Sequence, residues 1–120
     1  LVGDRVLHEV AAIIRQAVRA SDLAARYGGE EFVVILPDTL PDGGLVLAER
    51  IRCAVEEHDF RVVEPPVQRR VTISVGVATH PYHAKTSEEL IAAADAALYV
   101  SKKNGRNRAT LSREEEVKLA

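Results

Sequence analysis

The stretch Tyr27-Gly28-Gly29-Glu30-Glu31-Phe32-Val33-Val34-Ile35-Leu36 decides how this chain folds. A Gly-Gly pair tolerates the positive φ angles of the tight turns that match strand twist. The run from Phe32 to Leu36 is apolar without alternation, the pattern of a central strand covered on both faces. The segment therefore predicts a hairpin, Leu23–Tyr27 against Glu31–Leu36, ended by Pro37-Asp38. Its turn sets two carboxylates, Glu30 and Glu31, beside backbone that carries no side chain.

Outward from the hairpin, Val6, Leu7, Val10, Ile13, Ile14, Ala17 and Val18 recur at three- and four-residue steps. This is the buried stripe of an amphipathic helix that starts near Asp4, where a carboxylate is favoured by exposed N–H groups. The helix is expected to stop near Ala20, before the turn residues Ser21-Asp22. Downstream, Asp42-Gly43-Gly44 leads into a second helix with Leu47, Ile51, Ala54 and Val55 inside. Strands are predicted at Phe60–Val63 and Val71–Thr79, the second presenting the small face Thr72, Ser74, Gly76 and Ala78 and closed by His80-Pro81. Thr86 and Glu89 form a capping box for a third helix, with Leu90, Ile91, Ala94, Leu98 and Tyr99 inward. Lys102-Lys103-Asn104-Gly105 suits its C-terminus, and an edge strand is expected near Arg108–Leu111.

A buried hairpin needs a further strand beside it, so the order predicts an α/β fold, an α+β sandwich whose first strand is missing from this chain. The chain has 120 residues and 47% hydrophobic residues, the size and composition of one globular domain. The expected division is a domain over residues 1–111 and a charged tail over 112–120. Because the helical pattern begins almost at Leu1, with no Met anywhere, the chain is expected to be a fragment with material upstream. Its net charge of −2 gives no electrostatic basis for binding nucleic acid. No apolar run reaches the roughly 18 residues of a membrane span, and no signal peptide opens the chain. Cys53 alone rules out an internal disulfide framework, and His8, His58, His80 and His83 show no metal-ligand spacing.

The acidic pair supports two readings. Paired carboxylates beside bare backbone can hold a divalent cation against a bulky anionic ligand, as in Mg²⁺-assisted phosphoryl or nucleotidyl transfer. The other reading is a solvated acidic tip on a structural turn. Asp4 reads equally as a helix-end carboxylate, Lys102 and Arg106 as cations complementing a helix end, and Arg19 with Asp22 as a surface ion pair.

Four blocks in order weigh against the bland readings. Gly3-Asp4, Gly28-Gly29-Glu30-Glu31-Phe32, Val71-Thr72-Ile73-Ser74-Val75-Gly76-Val77-Ala78, and Ala94-Asp95-Ala96-Ala97-Leu98-Tyr99 with Lys102 and Gly105-Arg106-Asn107-Arg108 span the chain to about Arg108. Together they resemble the GGDEF family, the diguanylate cyclases, in its Glu-containing form. The resemblance implies a ferredoxin-like, nucleotidyl-cyclase palm-type sheet with helices around it. It also implies condensation of two GTP into cyclic di-GMP with release of two pyrophosphates. In that reading Glu30 is catalytic and, with Glu31, a ligand of Mg²⁺ or Mn²⁺. Asp4 accepts from the guanine N–H edge, a contact adenine cannot make. Gly29 gives the substrate room, and Lys102 and Arg106 meet the triphosphate.

Arg19-Ala20-Ser21-Asp22 stands at the family's spacing from the glycines for a product-binding inhibitory site, Arg19 offering a planar fork and Asp22 an acceptor, with Arg50 as its secondary arginine. The resemblance breaks at the front. An Asp-x-Asp-x-Phe-Lys strand and a further Asn, which the family supplies ahead of Gly3-Asp4, are not visible, so these residues alone are expected to bind GTP poorly and turn over slowly or not at all. Chemistry in which each 3′-hydroxyl attacks a phosphate held by another domain calls for a two-fold homodimer. An upstream sensor or regulatory domain and a cytoplasmic site are expected, whether or not the parent protein is membrane-anchored. The alternative is a non-catalytic module that signals by binding cyclic di-GMP or GTP.

Overall fold

Apolar residues repeating along one face build helix α1 over Asp4–Ala17, from which Val6, Leu7, Val10 and Ile14 are buried. The computed structural model describes residues 3–60 and 70–113. Helix α1 ends three residues before Ala20, because Val18 already has an extended backbone. Strands β1 (Leu23–Gly28) and β2 (Glu31–Ile35) form the predicted antiparallel hairpin, with Leu23 opposite Ile35 and Arg26 opposite Phe32. Helix α2 runs Pro41–Glu57. Asp42, Gly43 and Gly44 lie in its first turn and not ahead of it, since Pro41 has its φ set for the first helical position and needs no N–H there.

Helices α1 and α2 cover the same side of the hairpin. Val6, Val10 and Ile14 meet Ile51, Val55 and Phe60 in one apolar cluster, flanked by Ala24, Phe32, Val34, Val71 and Ile73. Each such side chain removed from water contributes about 1.5–3 kcal/mol. His58 joins the two helices across this core, its Nε2 lying 2.8 Å from Glu9 Oε1 while its ring meets Phe60 edge-on. The expected two-sided burial of β2 is not found. Ile35 is 53% exposed, because both helices lie on one face of the hairpin and β2 pairs with β1 alone among the described residues.

A second unit is β3 (Val75–Val77), helix α3 (Ser87–Lys103) and β4 (Ala109–Leu111), with β4 parallel to β3. Of the strand expected over Val71–Thr79 only Val75–Val77 is paired, as long as its partner β4. The expected strand from Phe60 runs into 61–69, outside the described residues, as does most of the tail. The two ladders share no hydrogen bonds with each other among the described residues, so the palm-type sheet is present as two short pieces. Thr86 Oγ1 accepts the Glu89 amide at 3.1 Å as predicted, whereas the Glu89 carboxylate accepts from Lys85 N at 3.0 Å, one residue ahead of the cap. The inward face of α3 differs from expectation. Ala97 and Ser101 are buried, while Ile91 is 45% and Tyr99 65% exposed.

The reason is the seat of α3 on β3. A Cβ placed on Gly76 would overlap the Ala94 carbonyl oxygen and the Leu98 amide. The helix backbone therefore lies directly on a bare strand backbone, and only a small residue fits between them. Ser101, fully buried, locks this approach by donating to the Val75 carbonyl at 2.8 Å and bonding Thr110 Oγ1 at 2.7 Å. No described helix is long and apolar enough to cross a membrane.

Between α1 and β1 the chain turns through Arg19–Asp22. Asp22 accepts from the Arg19 amide at 2.7 Å and from the Arg19 guanidinium at 3.0 and 3.3 Å. The Arg19 Nη2 group also donates to the Pro37 carbonyl at 2.9 Å and to Thr39 Oγ1 at 3.0 Å. These side-chain bonds, then the backbone one, hold the Asp22 carboxyl below its ordinary value of 3.8.

Gly76→Ala should cost about 3 kcal/mol by overpacking, seen as a drop of roughly 10 °C in melting midpoint. Gly28→Ala, whose added methyl meets nothing within 4 Å, should change stability by less than about 1 kcal/mol. Because the Asp22 pKa is lowered on folding, its contribution is complete above the ordinary carboxylate value and is lost as pH falls through the lower, folded value. Melting curves recorded from about pH 7 down to about pH 2.5 should show Asp22→Asn less stable at neutral pH and less steeply destabilised by acid.

Candidate functional site

The hairpin tip is built from a left-handed glycine and one arginine. Gly29 has φ +51° in the left-handed region, where a side chain would be costly. The ladder shifts register between Arg26 and Gly28, so Gly28 pairs with Glu31 and Glu30 stays in the turn. Glu30 and Glu31 are therefore not successive ladder residues, which would be obliged to point to opposite faces. Arg26 reaches forward and donates to the Gly29 carbonyl through Nε at 2.9 Å and Nη2 at 2.6 Å. Sequence reasoning missed this arginine. Its signal was a long cation placed three residues before the left-handed glycine, within reach of that glycine's carbonyl.

Around the tip there is room. A Cβ on either Gly28 or Gly29 would meet nothing within 4 Å, so the turn next to the acidic pair in the chain is bare and open. Both glutamates are exposed. Their oxygens are the donors a hard divalent cation prefers, and Mg²⁺ is commonly held by one or two carboxylates with the rest of its shell from phosphate and water. No group of three or more His, Cys, Asp or Glu gathers among the described residues, so the residues present fit that substrate-completed mode and not an all-protein cage.

Asp4 lies in the first turn of α1, exposed, with Gly3 as the cap residue. It shares one groove with Leu7, His8, Arg15, Phe32 and Arg26, the residue that grips the tip. The start of α1 and the base of the hairpin turn thus open onto the same space. Lys102 lies in the last turn of α3 beside Lys103, and Arg106 follows in the turn beyond with a left-handed backbone at φ 64°. Both are exposed and stand apart from that groove's lining.

Arg19 lies on a second groove, between the start of α2 and the turn at Tyr82-His83. The Asp22 side chain is only 1% exposed, covered by Arg19. In this conformation it fixes the guanidinium and does not face solvent. Arg50 is exposed on α2 and is not part of the groove lining around Arg19.

Comparison with known proteins matches this geometry to one group. The family model described as "Diguanylate cyclase, GGDEF domain" covers residues 1–108. Diguanylate cyclase A of Treponema denticola is 47% identical over 111 residues, covering 92% of this chain and 29% of that protein. Response regulator PleD of Caulobacter vibrioides is 46% identical over 106 residues, covering 88% of this chain and 23% of that protein. This chain thus spans less than a third of the length of either relative. Among solved structures, the active GGEEF domain of a diguanylate cyclase from Vibrio cholerae superposes with TM-score 0.81 at 30% identity, covering 93% of this chain and 69% of that one. The coiled coil and GGDEF domain of DgcB from Caulobacter crescentus, in complex with c-di-GMP, gives TM-score 0.79 at 32% identity, covering 91% of this chain and 57% of that one. The chain belongs to the GGDEF family of diguanylate cyclase domains.

Proposed function

We propose that the polypeptide containing this domain condenses two GTP molecules into cyclic di-GMP with loss of two pyrophosphates. The observation that carries this reading is the hairpin tip, where Glu30 and Glu31 stand beside open space at the two glycines. The Arg26 grip on the Gly29 carbonyl holds that tip before any ligand arrives, the preorganisation that phosphoryl transfer needs most.

Glu30 and Glu31 would hold Mg²⁺, with Mn²⁺ as a substitute; when bound, the cation offsets phosphate charge and lowers the pKa of the attacking ribose 3′-hydroxyl. Glu30 takes the proton as that oxygen bonds to the α-phosphorus and the pyrophosphate oxygen leaves. Asp4 accepts from the guanine N1–H and amino donors, which discriminates against adenine. Lys102 and Arg106 meet the triphosphate, and Gly29 gives it room. Two such reactions close the ring, each joining one domain's nucleotide to the other's, so a two-fold homodimer is the working unit. Arg19, backed by the buried Asp22, is the inhibitory site for the product, with Arg50 as a secondary arginine from outside the groove that Arg19 lines. Complexes of related domains with c-di-GMP support the product class, and the much longer relatives support regulatory domains elsewhere in the polypeptide. Catalysis takes place on the cytoplasmic side, where GTP is supplied.

Glu30→Ala separates catalysis from binding. In the intact polypeptide with Mg²⁺ and GTP it should lower cyclic di-GMP formation at least about 100-fold, while cyclic di-GMP affinity stays within about threefold of the parent. A parent that binds cyclic di-GMP but forms none with either residue present would instead support the non-catalytic signalling module.

A further inference from the structure

Arg106 has a backbone that its side chain does not explain. Gly105, Arg106 and Asn107 all have positive φ, at 112°, 64° and 47°. Glycine takes such angles freely and asparagine tolerates them, but an arginine there costs energy that the surroundings must supply. The guanidinium offers no compensation, because it is exposed and has no partner among the described residues.

The compensation comes from α2. Asn107 Oδ1 accepts from Arg52 Nη1 at 2.9 Å, and Asn107 Nδ2 donates to Glu56. Arg52 is held in turn by Glu49, at 3.1 and 3.2 Å. Glu49 Oε1 also accepts from the Ala109 amide at 3.2 Å, two residues further along. On the α3 side the Arg106 amide donates to the Ser101 carbonyl at 2.9 Å, and the Arg106 carbonyl accepts from Arg108 Nε at 3.1 Å. The backbone around Arg106 is thus pinned from two helices, while its charged end stays exposed.

We propose that Glu49, Arg52 and Asn107 are positioning residues, a clamp through which α2 aims Arg106 at the polyphosphate of the substrate. Arg52 is the centre of the clamp, since its planar fork spans Glu49 and Asn107 at once, a geometry lysine cannot copy. Helix α2, which holds none of the proposed substrate-binding residues, then sets the affinity for the nucleotide tail. This inference rests on the reading of Arg106 as a triphosphate contact.

Asn107→Gly is the informative change, because glycine keeps the left-handed backbone and removes only the side-chain bonds. Binding of inorganic triphosphate to the intact polypeptide, by calorimetry, and the KM for GTP are measured for Asn107→Gly, Arg106→Ala and the double variant. Each single change should weaken triphosphate binding and raise KM about tenfold, and the double variant should be no worse than Arg106→Ala alone. Arg52→Lys, which keeps the charge, should behave like Asn107→Gly and carries the test if Asn107→Gly unfolds. Losses that add in the double variant would assign these residues to general stability and overturn the clamp. So would a tenfold loss in Arg106→Ala with none in Asn107→Gly or Arg52→Lys, leaving the triphosphate reading intact. No loss in Arg106→Ala would overturn the triphosphate reading itself, and the clamp with it.

Discussion

The two hydrogen bonds that Arg26 donates to the Gly29 carbonyl, at 2.9 and 2.6 Å, are the contact on which the candidate site depends. A two-glycine turn alone is loose, because glycine populates both signs of φ. An arginine fork on the turn's own carbonyl selects one conformation and costs little, since the cation stays exposed. The result is a tip with freedom in sequence and little in structure. It carries two carboxylates next to space that a bulky anion can enter.

Everything behind the hairpin supports that presentation. The α1–α2 core holds one side of the hairpin through Phe32, Val34 and Ala24, and the same helix α1 delivers Asp4 to the groove that begins at Arg26. The unit β3–α3–β4 is closed by the bare backbone of Gly76 and by Ser101, and it carries Lys102 at the end of α3 and Arg106 in the turn that follows. Helix α2 contacts both units, covering the hairpin with Ile51 and Val55 and bracing the turn after α3 with Glu49 and Arg52. One helix therefore links the hairpin core to the turn that carries Arg106.

Much of this was legible in local chemistry. The glycine turn, the Thr86 cap and the Gly105 exit from α3 each follow from what a few adjacent residues can do, and each stands where expected. The inward stripe of α1 was equally plain, since Val6, Val10 and Ile14 repeat on a helical period. What the sequence could not disclose depends on neighbours. Val71–Thr79 has the composition of a nine-residue strand, but pairing is decided by the three residues of β4. Ile91 and Tyr99 look like core residues until the closeness of α3 to Gly76 turns Ala97 and Ser101 inward instead. At the candidate site, the acidic pair was marked by its two-glycine turn, whereas Asp4 was singled out only by the family resemblance. Arg26 carried only the local signal of a long cation three residues before a glycine, and Arg52 carried none for its bond to Asn107, a partner 55 residues away that the fold brings to it.

The central claim is that the hairpin tip holds a divalent cation together with the nucleotide. Paramagnetic broadening by Mn²⁺ tests it most directly, with backbone amide signals of the intact polypeptide followed as Mn²⁺ is added in the presence of GTP. The account predicts that the amides of Gly29, Glu30 and Glu31 broaden first, and that this selectivity disappears in Glu30→Ala. Broadening that begins elsewhere, or that is the same with and without the Glu30 carboxylate, would contradict it.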